Sequence, residues 1–71
     1  MTDLIVQSGD HHPLVPVLKR RLGFGLITDE YDHTIEQRIR GVQLVHGLDQ
    51  HGQVDEPTLA VLGIEYGRGG I

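Results

Sequence analysis

The chain contains no cysteine. Its absence excludes a disulfide staple and a thiolate metal centre, two devices by which very small domains compensate for a thin core. Aromatic side chains are scarce as well, one Phe and two Tyr among 71 residues, so a core has to be built from Leu, Ile and Val. Serine occurs once, at Ser8, in a turn-forming Ser-Gly-Asp context with no catalytic motif around it. No long apolar run is present, and Met1-Thr2-Asp3-Leu4-Ile5-Val6-Gln7 has no basic leader. Neither a signal peptide nor a membrane span is expected, and no membrane partner. Basic residues are few, 6 Lys and Arg against 10 Asp and Glu for a net charge of −4. A nonspecific nucleic-acid binder needs a cationic surface to displace phosphate counterions, so nucleic acid is not an expected partner.

What the chain does have is periodicity and punctuation. At 71 residues it is one domain, 1–71, near the lower size at which a core sustains itself. Beginning at Met1 with no second domain, it reads as a complete chain. Pro13 and Pro16 bracket the start of a first helix, because proline is tolerated in the first turn, where backbone N–H groups have no acceptor anyway. Val15, Leu18 and Leu22 fall on one helical face, Lys19, Arg20 and Arg21 mostly take the wet side, and Gly23 is a stop. Phe24-Gly25-Leu26-Ile27 is an apolar connector that folds back over the core.

The second helix runs from Asp32 or His33 to His46, burying Ile35, Ile39 and Val42. An internal repeat, Tyr31-Asp32-His33-Thr34-Ile35 against Val54-Asp55-Glu56-Pro57-Thr58, assigns Asp32 and Asp55 as helix-start caps. Thr34 with Gln37 as a capping box is the alternative at the first of these. The third helix spans about Glu56 to Leu62, buries Leu59 and Leu62 and ends at Gly63, while Leu48 and Val54 complete the core. Leu4-Ile5-Val6 reads as an extended run laid across the helices rather than paired in a sheet. The expected architecture is all-α, a compact three-helix bundle with extended arms at 1–7 and 64–71.

Five histidines raise the question of zinc. His11 and His12 are adjacent and point apart on an extended chain, and His33, His46 and His51 share no ligand spacing, so neither a metal nor a cofactor is expected. Asp29-Glu30 and Asp55-Glu56 are sequential carboxylates at loop–helix junctions, better explained as caps and helix-dipole partners than as an acid–base pair. No catalytic residue stands out and the chain is not read as an enzyme. A helix-turn-helix reader is disfavoured by the short third helix and the acidic balance. Gly67-Arg68-Gly69-Gly70 lacks the strand–loop–helix context of a phosphate cradle.

Three stretches carry one pattern in order. They are Gly9-Asp10-His11-His12-Pro13-Leu14-Val15-Pro16-Val17-Leu18-Lys19-Arg20-Arg21-Leu22-Gly23, then Tyr31 to Ile35 leading on to Gln43 and His46-Gly47-Leu48, then Gly52 to Leu62 with Asp55, Pro57 and Thr58. Together they resemble the peptidoglycan-binding domain-like family, small three-helix modules found beside cell-wall hydrolases, over about residues 4 to 64. In identity the chain departs from that pattern at several places. Lys19 stands where the family usually has Gln, Ile35 for Thr, Arg38 for Ala, Val42 for Phe, and His51-Gly52 for Asp-Gly. Arg38 and Val42 fall on the helix that lines the family's surface groove.

The resemblance implies a non-catalytic module that holds glycan strands or stem peptides in a shallow groove between helices. Tyr31, Arg38, His46 and His51 are the candidate ligand-binding residues, Tyr31 to stack on a sugar and Arg38 to pair with a stem-peptide carboxylate. A wall binder normally travels by a secretion signal or attached to a catalytic domain, whereas a bacteriophage protein leaves by lysis. The expected function is therefore a structural and interaction module, a small bacteriophage virion component that decorates a capsid or tail and docks on other virion proteins. The alternative is a peptidoglycan-binding module that targets a separate hydrolase to the bacterial wall. Leu4, Ile5, Val6, Ile64, Tyr66, Arg68 and Ile71 are the candidate partner-docking residues. Gly67, Gly69 and Gly70 make an ordered tail entropically costly, so at least one end is expected to gain its burial on a neighbouring subunit.

Overall fold

The computed structural model describes residues 4–64. The element order is β1 (Leu4–Val6), α1 (Leu14–Arg21), α2 (His33–Val45), β2 (Val54–Asp55) and α3 (Glu56–Leu62). Three helices were expected, and a two-stranded antiparallel sheet joins them, so the all-α expectation is corrected to a mixed α/β fold.

The sheet has a local cause. Asp55 caps α3 and must be extended to do so, with φ −130 and ψ 176, and Val54 before it is β-branched and buried. Two extended residues beside the extended Leu4–Val6 run let backbone N–H and C=O groups satisfy one another. Leu4 pairs with Asp55 and Val6 with Val54, with an irregularity between them. Val6, fully buried, thereby enters the domain's own core.

The caps follow the internal repeat. Asp32 accepts from the Ile35 N–H at 3.2 Å, and Asp55 accepts from the Thr58 N–H at 3.1 Å. The first helix is capped differently: the Pro13 side chain has no acceptor atom, and the His12 Nδ1 accepts from the Leu14 N–H at 3.0 Å. All three helices end alike. Gly23, Gly47 and Gly63 adopt positive φ, and the apolar residue after each returns its N–H five residues back, Phe24 to Lys19, Leu48 to Gln43 and Ile64 to Leu59. These are glycine-terminated Schellman ends, in which the left-handed residue favours glycine.

The core comprises Val6, Leu14, Val15, Leu18, Tyr31, Ile35, Ile39, Val54, Leu59 and Leu62, with Ile5, Leu22, Phe24, Val42 and Ile64 packed against it. Two long polar side chains are buried with it, one of them against the expectation from periodicity. Lys19, assigned to the wet side, is buried, with Nζ donating to Thr28 Oγ1 at 2.6 Å and lying 3.7 Å from Asp32 Oδ2. Gln43 is also fully buried and behaves as a three-way clamp. Its amide donates to the Gln53 carbonyl at 2.8 Å and to Thr58 Oγ1 at 3.0 Å, and its carbonyl accepts from the Gly52 N–H at 2.9 Å. One polar side chain thus fastens the 51–53 loop and the start of α3 onto α2.

Candidate functional site

The four candidate ligand-binding residues divide into two pairs on different parts of α2's surroundings. Tyr31 and His51 belong to the loop side. The Tyr31 ring is fully buried and its hydroxyl donates to the Gly52 carbonyl at 2.6 Å. Burial in the first place, and the nearby Glu36 carboxylate in the second, push its pKa well above the ordinary phenol value. A ring spent in the core has no face left for a sugar, so the stacking role expected of Tyr31 is withdrawn. Tyr31 immediately precedes the cap of α2, and its ring joins the core cluster with Ile35, Ile39 and Val54.

His51 is half-buried beside Tyr31's acceptor. Its Nδ1 accepts from the Gln53 N–H at 3.1 Å, which puts the ring proton on Nε2, 2.9 Å from Asp55 Oδ2. Burial opposes ionisation of Asp55, but hydrogen bonds from the Thr58 side chain and backbone and from His51 outweigh it, so the carboxyl pKa lies below its ordinary value. Gln53 completes the latch, donating to Glu36 Oε2 at 2.8 Å and accepting from the Ser8 N–H at 2.6 Å. Every group on this side is occupied in holding the loop.

Arg38 and His46 do come together, on the outer face of α2. Thr34, Gln37, Arg38, Gly41, Val42, Val45 and His46 line an open depression of about 510 Å³. Their spacing of three and four residues sets them on one side of the helix. Arg38 donates from one guanidinium nitrogen to the Leu22 carbonyl at 3.1 Å and lies 5.4 Å from the Phe24 ring centroid, a cation–π distance. Phe24 therefore braces the arginine as well as packing on the core, but Leu26 is 77% exposed, so the expectation that the whole 24–27 connector folds back over the core is corrected to Phe24. His46 closes the helix, its N–H returning to Val42 and Leu44. Thr34, Gln37 and His46 add polar groups to the rim of the depression, and Val42 and Val45 supply its apolar surface, Val45 being 80% exposed.

Of the candidate docking residues at the chain ends, Leu4 is exposed, Ile5 is half-buried, and Val6 is buried in the sheet and core. Ile64 packs against the core and borders a second depression with Val17, Arg20, Arg21 and Gly63, where Arg21 Nε donates to the Leu62 carbonyl at 2.7 Å. Val6, Ile5 and Ile64 thus find burial within their own domain rather than on a neighbour. Tyr66, Arg68 and Ile71 lie outside the described residues. Among the described residues, no three His, Asp or Glu side chains converge as a metal ion would require, and no helix is long and apolar enough to cross a membrane.

Comparison with protein-family models, with curated proteins and with solved structures gave no match. The resemblance to the peptidoglycan-binding domain-like family rests on the chain's own residues.

Sequence reading passed over Gly41 and Val45. The signal was available: Val42, Leu44 and Val45 put more apolar residues at the end of α2 than one buried stripe uses, and a glycine sits mid-helix without a turn to serve.

Proposed function

We propose that the chain is a non-enzymatic protein-docking module, a component of a bacteriophage particle built on a peptidoglycan-binding-type scaffold. The observation that carries this reading is the contrast between the two sides of α2. The aromatic ring that a sugar groove would use, Tyr31, is consumed in the core, whereas the outer face of α2 offers half-buried Val42 and exposed Val45 beside one braced cation. Apolar side chains grouped on one open face, with few charges, are what a protein partner covers.

The motifs also make structural sense as a scaffold. Gln43, Asp55 and Thr58, three of the residues that carry the resemblance, form one buried hydrogen-bond network. A motif set at home beside cell-wall hydrolases, joined to a surface suited to protein, fits a particle that meets the bacterial wall. A wall-targeting module is the second reading. Arg38 and His46, about two turns apart on the same α2 depression, favour it, since a guanidinium pairs well with a stem-peptide carboxylate.

Two measurements separate the readings. The first is co-sedimentation of the purified domain with peptidoglycan sacculi; the second is mass spectrometry of purified phage particles. Docking predicts the chain in particles at a fixed ratio to a structural protein and no retention on sacculi. Saturable retention on sacculi with absence from particles would overturn it.

A further inference from the structure

Three independent features meet on the outer face of α2. The first is Gly41, in the middle of the helix. A helix-interior glycine is destabilising relative to alanine, yet the fold makes no use of this one: its φ is not positive, and a Cβ added there would meet nothing within 4 Å. The backbone is left bare to the outside. The second is the apolar strip formed by half-buried Val42 and by Val45, which is 80% exposed. The third is charge. In a chain of net charge −4, none of the described residues lining this face is a carboxylate, and Arg38 is held there by the Leu22 carbonyl and the Phe24 ring.

We propose that this face receives an amphipathic α-helix of a partner protein. An acidic residue of that helix meets Arg38, apolar residues meet Val42 and Val45, and its backbone crosses close over Gly41. The inference rests on the reading of the chain as a docking module and names the surface and the chemistry of its partner. A bare glycine backbone at the centre of a helix face is what lets a second helix approach closely, so an extended peptide or a sugar would leave Gly41 unexplained. A braced cation with no carboxylate among the described residues of its face asks for an acid from outside. A second copy of this chain would bring the same carboxylate-free face, so the partner is a different sequence. Arg38, Val42 and Val45 are separated by four and then three residues and span about 10 Å along the axis at 1.5 Å per residue. The partner therefore carries Asp or Glu with apolar residues four and seven positions away, in one chain direction or the other.

The test uses the purified domain labelled with ¹⁵N and synthetic alanine-rich helical peptides. Two peptides carry Glu with Leu four and seven residues away, one in each order, and two matched peptides carry Lys in place of Glu. Titrations are followed by amide chemical shifts, with sedimentation equilibrium on the free domain. The proposal expects one Glu peptide to bind with shifts centred on Arg38, Gly41, Val42 and Val45. It expects its Lys counterpart to bind at least about tenfold more weakly, the difference one desolvated charge pair can supply. Gly41→Ala, which should melt at a higher temperature than the parent, and Val45→Asp should each weaken binding by about tenfold or more. No saturable binding of either Glu peptide at millimolar concentration would overturn it. Equal affinity for Glu and Lys peptides, shifts elsewhere on the domain, full affinity in Gly41→Ala, or a homodimer formed through α2 would do the same. Because only purified components are used, a failure here is told apart from failure of the docking-module reading, which particle composition decides.

Discussion

Replacing Gln43 with leucine tests the clamp that joins the loop, the sheet and α3 to α2. Leucine fills similar space but leaves the buried Gly52 N–H without its acceptor and removes the donor to the Gln53 carbonyl and Thr58 hydroxyl. Thr58 still donates to Asp55, so two backbone groups bear most of the loss. At about 1–3 kcal/mol for each stranded buried group, less the gain from a more apolar side chain, the variant should lose about 2–4 kcal/mol. A 71-residue domain has a total of about 4–11 kcal/mol on the usual per-residue scale, so that loss moves the unfolding midpoint far. Urea denaturation followed by helical circular dichroism measures it directly. Gln43→Glu adds a sign to the test. Its carboxylate can still accept from Gly52 but cannot donate while ionised, and burial raises the folded-state pKa. Its stability is present below the unfolded glutamate value of about 4.3 and is lost as pH rises through the raised folded value. Gln43→Glu should therefore gain stability relative to the parent as the solution is acidified. A Gln43→Leu variant within about 0.5 kcal/mol of the parent, or a Gln43→Glu deficit independent of pH, would refute the clamp.

Tyr31 should resist alkaline titration. With the folded pKa raised, its contribution to stability is complete below the unfolded phenol value of about 10 and is lost as pH rises through the folded value. In a Tyr66→Phe background, phenolate absorbance near 295 nm should therefore appear together with loss of helical signal, not before it. Asp55→Ala should cost about 1–2 kcal/mol through loss of the α3 cap, and Asp32→Ala about 1 kcal/mol, both read from denaturant midpoints. The folded pKa of Asp55 is depressed, so the stability it adds is present above the unfolded value of about 3.9 and disappears as pH falls through the folded one. Asp55→Ala should accordingly lose less stability than the parent on acidification below pH about 4. Leu18→Ala and Ile39→Ala, both at fully buried positions, should each cost about 2–5 kcal/mol in the same assay.

Helix positions were legible because each is written locally. Asp32 and Asp55 are short acceptors immediately before apolar periodicity, and Gly23, Gly47 and Gly63 each precede an apolar residue that folds back over the last turn. The sheet was less legible. Two residues, Val54 and Asp55, are too short to show alternation, and their pairing with Leu4–Val6 spans most of the chain. Lys19 was misassigned because a long polar side chain at the edge of a helical face can be wet or covered. The loop carrying Thr28 decides the matter, and helical spacing says nothing about where that loop crosses. Tyr31 was misassigned because the resemblance offered its ring as a sugar platform, while the ring packs in the core and its hydroxyl finds the Gly52 carbonyl inside. Arg38 and His46 were named as groove residues by the resemblance alone; both line the α2 depression, and the phenylalanine bracing of Arg38 comes from a separate segment that helical spacing says nothing about.

The docking claim meets its most direct test in particles assembled with the Val45→Asp chain. Val45 is 80% exposed and borders the α2 depression. An aspartate near the end of a helix costs about 0.3–1 kcal/mol against the helix dipole, so the variant should remain folded by circular dichroism. Produced beside the parental chain in one infection and counted by mass spectrometry of purified particles, it should be depleted about tenfold or more, the loss expected when a central apolar contact becomes a buried charge. Parental and Val45→Asp chains present in equal amounts would contradict the account.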